Sequence, residues 1–471
     1  MKLSGSLLKF ILPVLLLFYS HGKVCAQEKP NILFIIVDDL RPELGTYGHQ
    51  FIQSPNIDRL ADEGVRFDRA YCNVPVCGAS RASLLSGIRP YWPKRFLNYK
   101  TKLEEECAEV ITLPQLFKNN GYTTISNGKV FHHKNDMAQS WSEKPWKKGF
   151  SRNPNDDNSA WLNPASKQKI NPETGNGPYF ETAEVPDSAY VDGQTTLKSI
   201  RDLERLAAEK KPFFLAVGFS KPHLPFNAPQ KYFDLYPEVE LANNRFPIQD
   251  LPEQCTNSKE IFVYGGLEHY NQEEFHREAR RAYYACVSYI DAQVGLLLQK
   301  LQELDLDNNT IVVLLGDHGW HLGEHNFWGK HNALHNSLHS PLIIKVPAIS
   351  GPVNEIVEFV DVFPTLAELA GLPLPAHLHG ESMKALMQGN ATDWKNLAYT
   401  EWQGARTIIT PQYAYSQWFE PKNKGAHMLF DHRKDPLENM NVVEEPEYGK
   451  VVKQHQQLIQ ELYQKLSSTC P

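Results

Sequence analysis

Asp38 and Asp39 close an apolar run that begins at Asn31, and Gly316-Asp317-His318-Gly319 closes a second run, Thr310 to Leu315. Carboxylates are hard oxygen donors, and the ends of strands are where α/β sheets collect their ligands, so two acidic strand ends can together hold a metal. Singly, paired aspartates in a turn more often cap the backbone. The third chemical element is Cys77, in the segment Cys77-Gly78-Ala79-Ser80-Arg81-Ala82-Ser83-Leu84-Leu85-Ser86-Gly87. It follows a loop and reads as a helix start, where the macrodipole favours negative charge. An isolated cysteine at such a place is usually a buried thiol, so its surroundings decide its role.

Positioning these residues falls to an α/β fold. Asn31 to Val37, Phe213 to Gly218 and Thr310 to Leu315 are short, almost unbroken apolar stretches, the pattern of strands buried on both faces. Ser54-Pro55 opens a helix with Ile57, Leu60 and Ala61 on one face, Ser54 as cap and Pro55 in the first helical position. Tyr283, Val287, Ile290, Val294, Leu297 and Leu301 alternate steps of four and three, the stripe of a long core-facing helix. Residues 134 to 195 lack sustained periodicity and read as an insertion over the surface. Near Asn390 the pattern turns to short aromatic strands such as Tyr413 to Trp418, which predicts a small antiparallel C-terminal subdomain over 390–471.

The chain has 471 residues, 41% hydrophobic and 22% charged, enough for one large core and a smaller unit. A net charge of -7 argues against sequence-independent nucleic-acid binding, and any anionic ligand needs a local cationic pocket. Lys2 and Lys9, an apolar run from Phe10 to Tyr19 and Val24-Cys25-Ala26 read as a secretory signal over 1–26, cut before Gln27. The run is about half of what a membrane span requires. Export to the periplasm or beyond is therefore expected. The remaining cysteines, Cys72, Cys77, Cys107, Cys255, Cys286 and Cys470, form an even set compatible with disulfides, with Cys286 read as a buried thiol inside the helical stripe.

The Cys77 segment resembles the type I sulfatase signature, a Cys followed by x-Pro-Ser-Arg and later Leu-Thr-Gly. Ala79 stands in the proline's place, while Arg81, Leu85 and Gly87 match. Further motifs are similar to the iduronate-2-sulfatase branch of that family: Gly128-Lys129-Val130-Phe131-His132, Ala216 to His223, Tyr284 to Asp291, and Leu322-Gly323-Glu324-His325 continuing to Trp328-Gly329-Lys330. The resemblance implies an alkaline-phosphatase-like fold, with a mixed central sheet flanked by helices in a catalytic domain over 27–389. It also implies that a formylglycine-generating maturation enzyme oxidises Cys77. By the same resemblance Asp38, Asp39, Asp317 and His318 hold one calcium ion, with residue 77 completing the shell. Lys129 and Lys330 become sulfate-binding cations, Arg81 and His132 partners of the formylglycine, and His223 the leaving-group acid that also meets the substrate. Trp320 with His321, and the run Tyr91 to Arg95, are read either as lining of a sugar pocket or as structural packing.

These residue types suit the reaction. Transfer of a sulfuryl group rests on positioning and on cations facing charged oxygens. A sugar alkoxide is a poor leaving group, and an imidazole is a fitting proton donor to it. The implied substrate is an oligosaccharide with a 2-O-sulfated uronic acid, saturated or unsaturated, at its nonreducing end. The alternatives are a sulfatase of another glycan, a phosphatase or phosphodiesterase of the same fold, which would normally show Ser or Thr and two metals, and a noncatalytic glycan-binding protein.

Overall fold

Apolar side chains in unbroken runs can be buried on both faces only if helices cover both sides of the sheet. The computed structural model has this arrangement, and it describes residues 29–149, 159–270, 272–420 and 425–466. The expected signal, 1–26, and Cys470 lie outside the described residues. Seven strands form the central sheet: β1 (Asn31–Val37), β2 (Val65–Tyr71), β3 (Thr123–Gly128), β4 (Phe213–Phe219), β5 (Thr310–Gly316), β6 (Leu342–Lys345) and β7 (Gly351–Glu358). Their order is β7-β2-β6-β5-β1-β4-β3, parallel except for β6, which runs against both neighbours.

Every residue of β1, β4 and β5 is buried. Alternation along β1 sends Ile32, Phe34 and Ile36 into one core and Leu33, Ile35 and Val37 into the other. The first core is closed by α2 (Cys77–Ser86) and α5 (Val362–Leu369). The second is closed by α1 (Pro55–Asp62), α3 (Val191–Glu209) and α4 (Glu273–Glu303), whose predicted stripe from Tyr283 to Leu301 is buried throughout.

Three local readings are corrected. Ser54 precedes α1, but its hydroxyl donates to Asp58 and accepts from the Gly45 N–H. The first helical N–H groups, of Asn56 and Ile57, go instead to Asp291 of α4 at 3.0 and 2.8 Å, a cap supplied from across the fold. The segment 134–195 is more than a surface insertion. It buries Trp161 and Tyr179, adds a strand, Phe180–Ala183, that pairs in parallel with Phe226–Pro229, and contains the start of α3. Aromatic residues at irregular spacing can fill a core without leaving a periodic trace. The even cysteine count does not translate into bridges at Cys72, Cys77, Cys255 or Cys286, which are buried thiols.

Beyond the main sheet, β8 (Ala398–Trp402), β9 (Ala405–Ile409), β10 (Tyr413–Trp418) and β11 (His427–Asp431) form an antiparallel sheet in sequence order. Tyr399, Ile408, Tyr415 and Leu429 pack there against α6 (Gly449–Leu466).

Candidate active site

The candidate residues stand at the carboxyl edge of the main sheet. β1 leads into Asp38-Asp39, β3 into Lys129 and His132, β4 into His223, and β5 into Asp317-His318. The loop after β2 delivers Cys77 at the first turn of α2. Backbone bonds lock these exits together: Asp38 N to Phe219 O at 3.1 Å, Asp317 N to Val37 O at 3.1 Å, and Lys129 N to Gly218 O at 2.8 Å. The last contact requires glycine, because a Cβ on Gly218 would lie 2.0 Å from the Lys129 carbonyl oxygen.

Asp38, Cys77, Asp317 and His318 are buried and each offers a ligand atom within 4.8 Å of the others. Asp39 joins them, with its carboxylate 3.4 Å from His318 Nε2. Its φ of 62° is a strained backbone setting, held by the Asp39 N–H bond to Asp317 Oδ1 and by the Tyr283 hydroxyl on its carbonyl. Three buried carboxylates beside an imidazole suit a hard divalent cation such as calcium, so these residues fit the implied metal.

Cations surround this acidic centre. Arg81 bonds Asp317 at 2.8 Å and Asp38 at 3.3 Å and donates to the Val130 carbonyl. Lys129 pairs with Asp38, and Lys330 bonds Asp39 at 2.7 Å. Burial pushes the Asp38 carboxyl up, but Lys129, His223, Arg81 and Lys330 outweigh it and hold the group well below its usual range. Burial, then Asp38, push the Cys77 thiol up, so residue 77 is not presented as a thiolate despite its place on the helix. His132 is driven down to about 2 by burial and by Lys129, and its Nδ1 has no hydrogen-bond partner among the described residues. Burial alone would lower His223, yet Asp39, Asp38 and Glu260 raise it to about 10.

A cavity of about 340 Å³ opens onto Asp38, Lys129, His132 and His223. Trp320 departs from expectation. It is fully buried, outside that lining, with the Lys330 ammonium 4.9 Å from its ring centroid, and so it packs against a cation instead of facing the cavity. His321 lines a separate cavity of about 600 Å³ with Arg41, His335 and His339. Tyr91 stacks on Tyr463 of α6 at 4.8 Å, so the run 91–95 packs against the C-terminal helix, outside the lining of that cavity.

Sequence reasoning missed three residues. Glu260 bonds both His223 Nε2 and Lys330 Nζ at 3.0 Å, from a loop with no motif or period to mark it. Asp192, at the start of α3, accepts the Ser220 and Lys221 N–H groups at 2.7 and 3.0 Å and so anchors the loop that carries His223. Lys147 enters the cavity wall from the 134–195 segment, where the Lys147-Lys148 pair was the only visible signal.

Fold and site together define an alkaline-phosphatase-like hydrolase, with acids and cations gathered around Cys77. A family model described as Sulfatase matches residues 30–372, and the chain belongs to that family, the sulfuric ester hydrolases. A second model, described as N-sulphoglucosamine sulphohydrolase, C-terminal, matches residues 323–465. The chain is 36% identical over 408 residues to iduronate 2-sulfatase of Mus musculus, covering 74% of this chain and 70% of that protein. It is 26% identical to a Delta 4,5-hexuronate-2-O-sulfatase of Bacteroides thetaiotaomicron over 92% and 89% of the two chains. The structure of a 2-O GAG sulfatase superposes with a TM-score of 0.72 at 24% identity, over 94% of this chain and 93% of the other.

Proposed function

We propose that the protein is an exo-acting sulfatase that removes the 2-O-sulfate from a uronic acid at the nonreducing end of a glycosaminoglycan fragment. The observation that carries the reaction is the convergence of Asp38, Asp39, Cys77, Asp317 and His318 between Lys129 and Lys330 at the end of a cavity. The substrate rests on the similarity to two relatives named for uronate 2-O-sulfate, of which the mouse enzyme is 36% identical. A cavity of about 340 Å³ suits a terminal sugar better than the middle of a chain.

Cys77, oxidised to formylglycine by a maturation enzyme, would supply in its hydrate a hydroxyl to attack sulfur and a second one to release sulfate afterwards. Asp38, Asp39, Asp317 and His318 would hold calcium, which would supply Lewis-acid polarisation beside residue 77. Lys129 and Lys330 face the ester and neutralise charge on its oxygens. Arg81 fixes Asp38 and Asp317, and His132, kept neutral by burial and Lys129, would serve as a hydrogen-bonding partner of the formylglycine and not as its base. His223, kept protonated, hands its proton to the departing sugar oxygen. Export, expected from residues 1–26, would put the enzyme in the periplasm, where calcium is available. No helix among the described residues is long and apolar enough to cross a membrane.

A panel of disaccharides sulfated at single positions tests this reading. A terminal 2-O-sulfated uronate should lose sulfate, while glucosamine 6-O-sulfate and N-sulfate should not. Preference for the 6-O-sulfate would refute the substrate, and equal rates on internal and terminal 2-O-sulfates would refute exo action. Saturated and unsaturated uronates in the same panel show whether the enzyme follows a hydrolase or a lyase. Chelation should lower activity, and metal analysis should find one calcium per chain; two metals or zinc would favour a phosphatase of the same fold.

A further inference from the structure

The cations used for the sulfate are already balanced by acids, Lys129 by Asp38 and Lys330 by Asp39 and Glu260. The same cavity carries two more lysines, Lys147 and Lys148. Among the described residues neither forms an ion pair, and the Lys147 ammonium donates to the His132 carbonyl at 3.2 Å. The acids that line the cavity are committed elsewhere: Asp38 to Arg81 and Lys129, Asp192 to two backbone N–H groups. Lys221, also in the lining, gives its ammonium to the His223 and Pro225 carbonyls.

Lys147 is also held in place. Its neighbour Trp146 donates its N–H to Ser126 O at 2.9 Å and accepts from Gly128 N at 2.8 Å, which pins the backbone against β3 beside Lys129. An ammonium fixed near Lys129 and Arg81 without an acid is costly, and burial and these two cations lower it to about 8. An anion brought by the ligand would complete the arrangement.

We propose that Lys147 and Lys148 form a second anion subsite of the cavity, which takes the carboxylate on the ring whose sulfate is removed. The assignment rests on the uronate reading. It makes the carboxylate a determinant of specificity, since a guanidinium or ammonium facing a carboxylate forms one of the stronger hydrogen-bonded pairs.

The test compares kcat/KM for a 2-O-sulfated uronic acid with that for its carboxyl-reduced counterpart. Wild-type enzyme should prefer the acid by about tenfold or more, a difference of the size one such contact supplies. Lys147→Met and Lys148→Met should each shrink that preference, chiefly through KM, and Lys147→Arg should restore part of it. If Lys147 served only to support His132, both esters would slow together, and an unchanged ratio in both Met variants would overturn the subsite. Wild-type enzyme that cleaves both esters without preference would overturn it too. Cleavage of neither ester, alongside cleavage of another sulfated sugar, would overturn the uronate reading itself and the carboxylate assignment that rests on it.

Discussion

At residue 77 the usual account of a nucleophilic cysteine fails on electrostatics, since such cysteines sit in electropositive places that lower their pKa. Cys77 is 3% exposed, and burial and Asp38 raise its thiol. A formylglycine at this position needs no thiolate. Cys77→Ala should therefore abolish sulfate release while the melting temperature stays near wild type, and mass spectrometry of the peptide should show sulfur lost at residue 77. A fully active enzyme carrying an unmodified thiol would sink the mechanism. A second side chain, Glu260, joins two residues of the site. Its carboxylate spans His223 and Lys330, so Glu260→Gln should lower kcat/KM by about tenfold to hundredfold, the range found when partners of site residues are removed. The measurement is steady-state kinetics on any cleaved ester, and rates equal to wild type would leave Glu260 without a role in the reaction.

Strand exits carry the site, so errors at the backbone of an exit should propagate to it. The Gly218 position leaves no room for a Cβ against the Lys129 carbonyl. Gly218→Ala should push β3 from β4 and shift Lys129 and His223, and a displacement of about 1 Å costs on the order of a hundredfold in rate. Gly449 is the contrast: it opens α6 with nothing within 4 Å of an added Cβ. Gly449→Ala should keep full activity and stabilise the fold by about 0.4–1 kcal/mol. Thermal melts with kinetics on both variants decide this, and a Gly218→Ala enzyme as active as wild type would refute the close-approach argument.

Across the molecule, a buried ion network ties the main sheet to the C-terminal one. Glu358, at the end of β7, accepts from Asn73 before α2, from Arg89 after it, from Lys395, and from the Tyr399 N–H on β8. Removing one member leaves buried charge unpaired, so Glu358→Gln should destabilise by about 3–5 kcal/mol in urea unfolding. The pH dependence follows from the same group. Burial raises the Glu358 carboxyl, but Arg89 and Lys395 outweigh it and depress it below its ordinary 4.5. A carboxylate depressed in the folded state contributes stability that is complete above that value and is lost as pH falls through the folded pKa. Wild type should thus lose stability below pH 4.5 more steeply than Glu358→Gln; parallel acid limbs would contradict the assignment.

Local sequence pattern fixes the three buried strands, the acids that end two of them, the helix start at Cys77 and the long stripe from Tyr283 to Leu301. Each is a local pattern, set by the two-residue period of strands or the 3.6-residue period of helices. The family resemblance added the partners Arg81, Lys129, His132, His223 and Lys330, all of which the fold brings to one edge. Only tertiary structure decided the rest. Asp291 caps α1 from 235 positions away, Trp320 lies against Lys330 instead of facing the cavity, and Glu260 bridges two cations from an unpatterned loop. Such residues act through partners distant in the chain, and no period or spacing records a contact that exists only once the strands have been laid side by side.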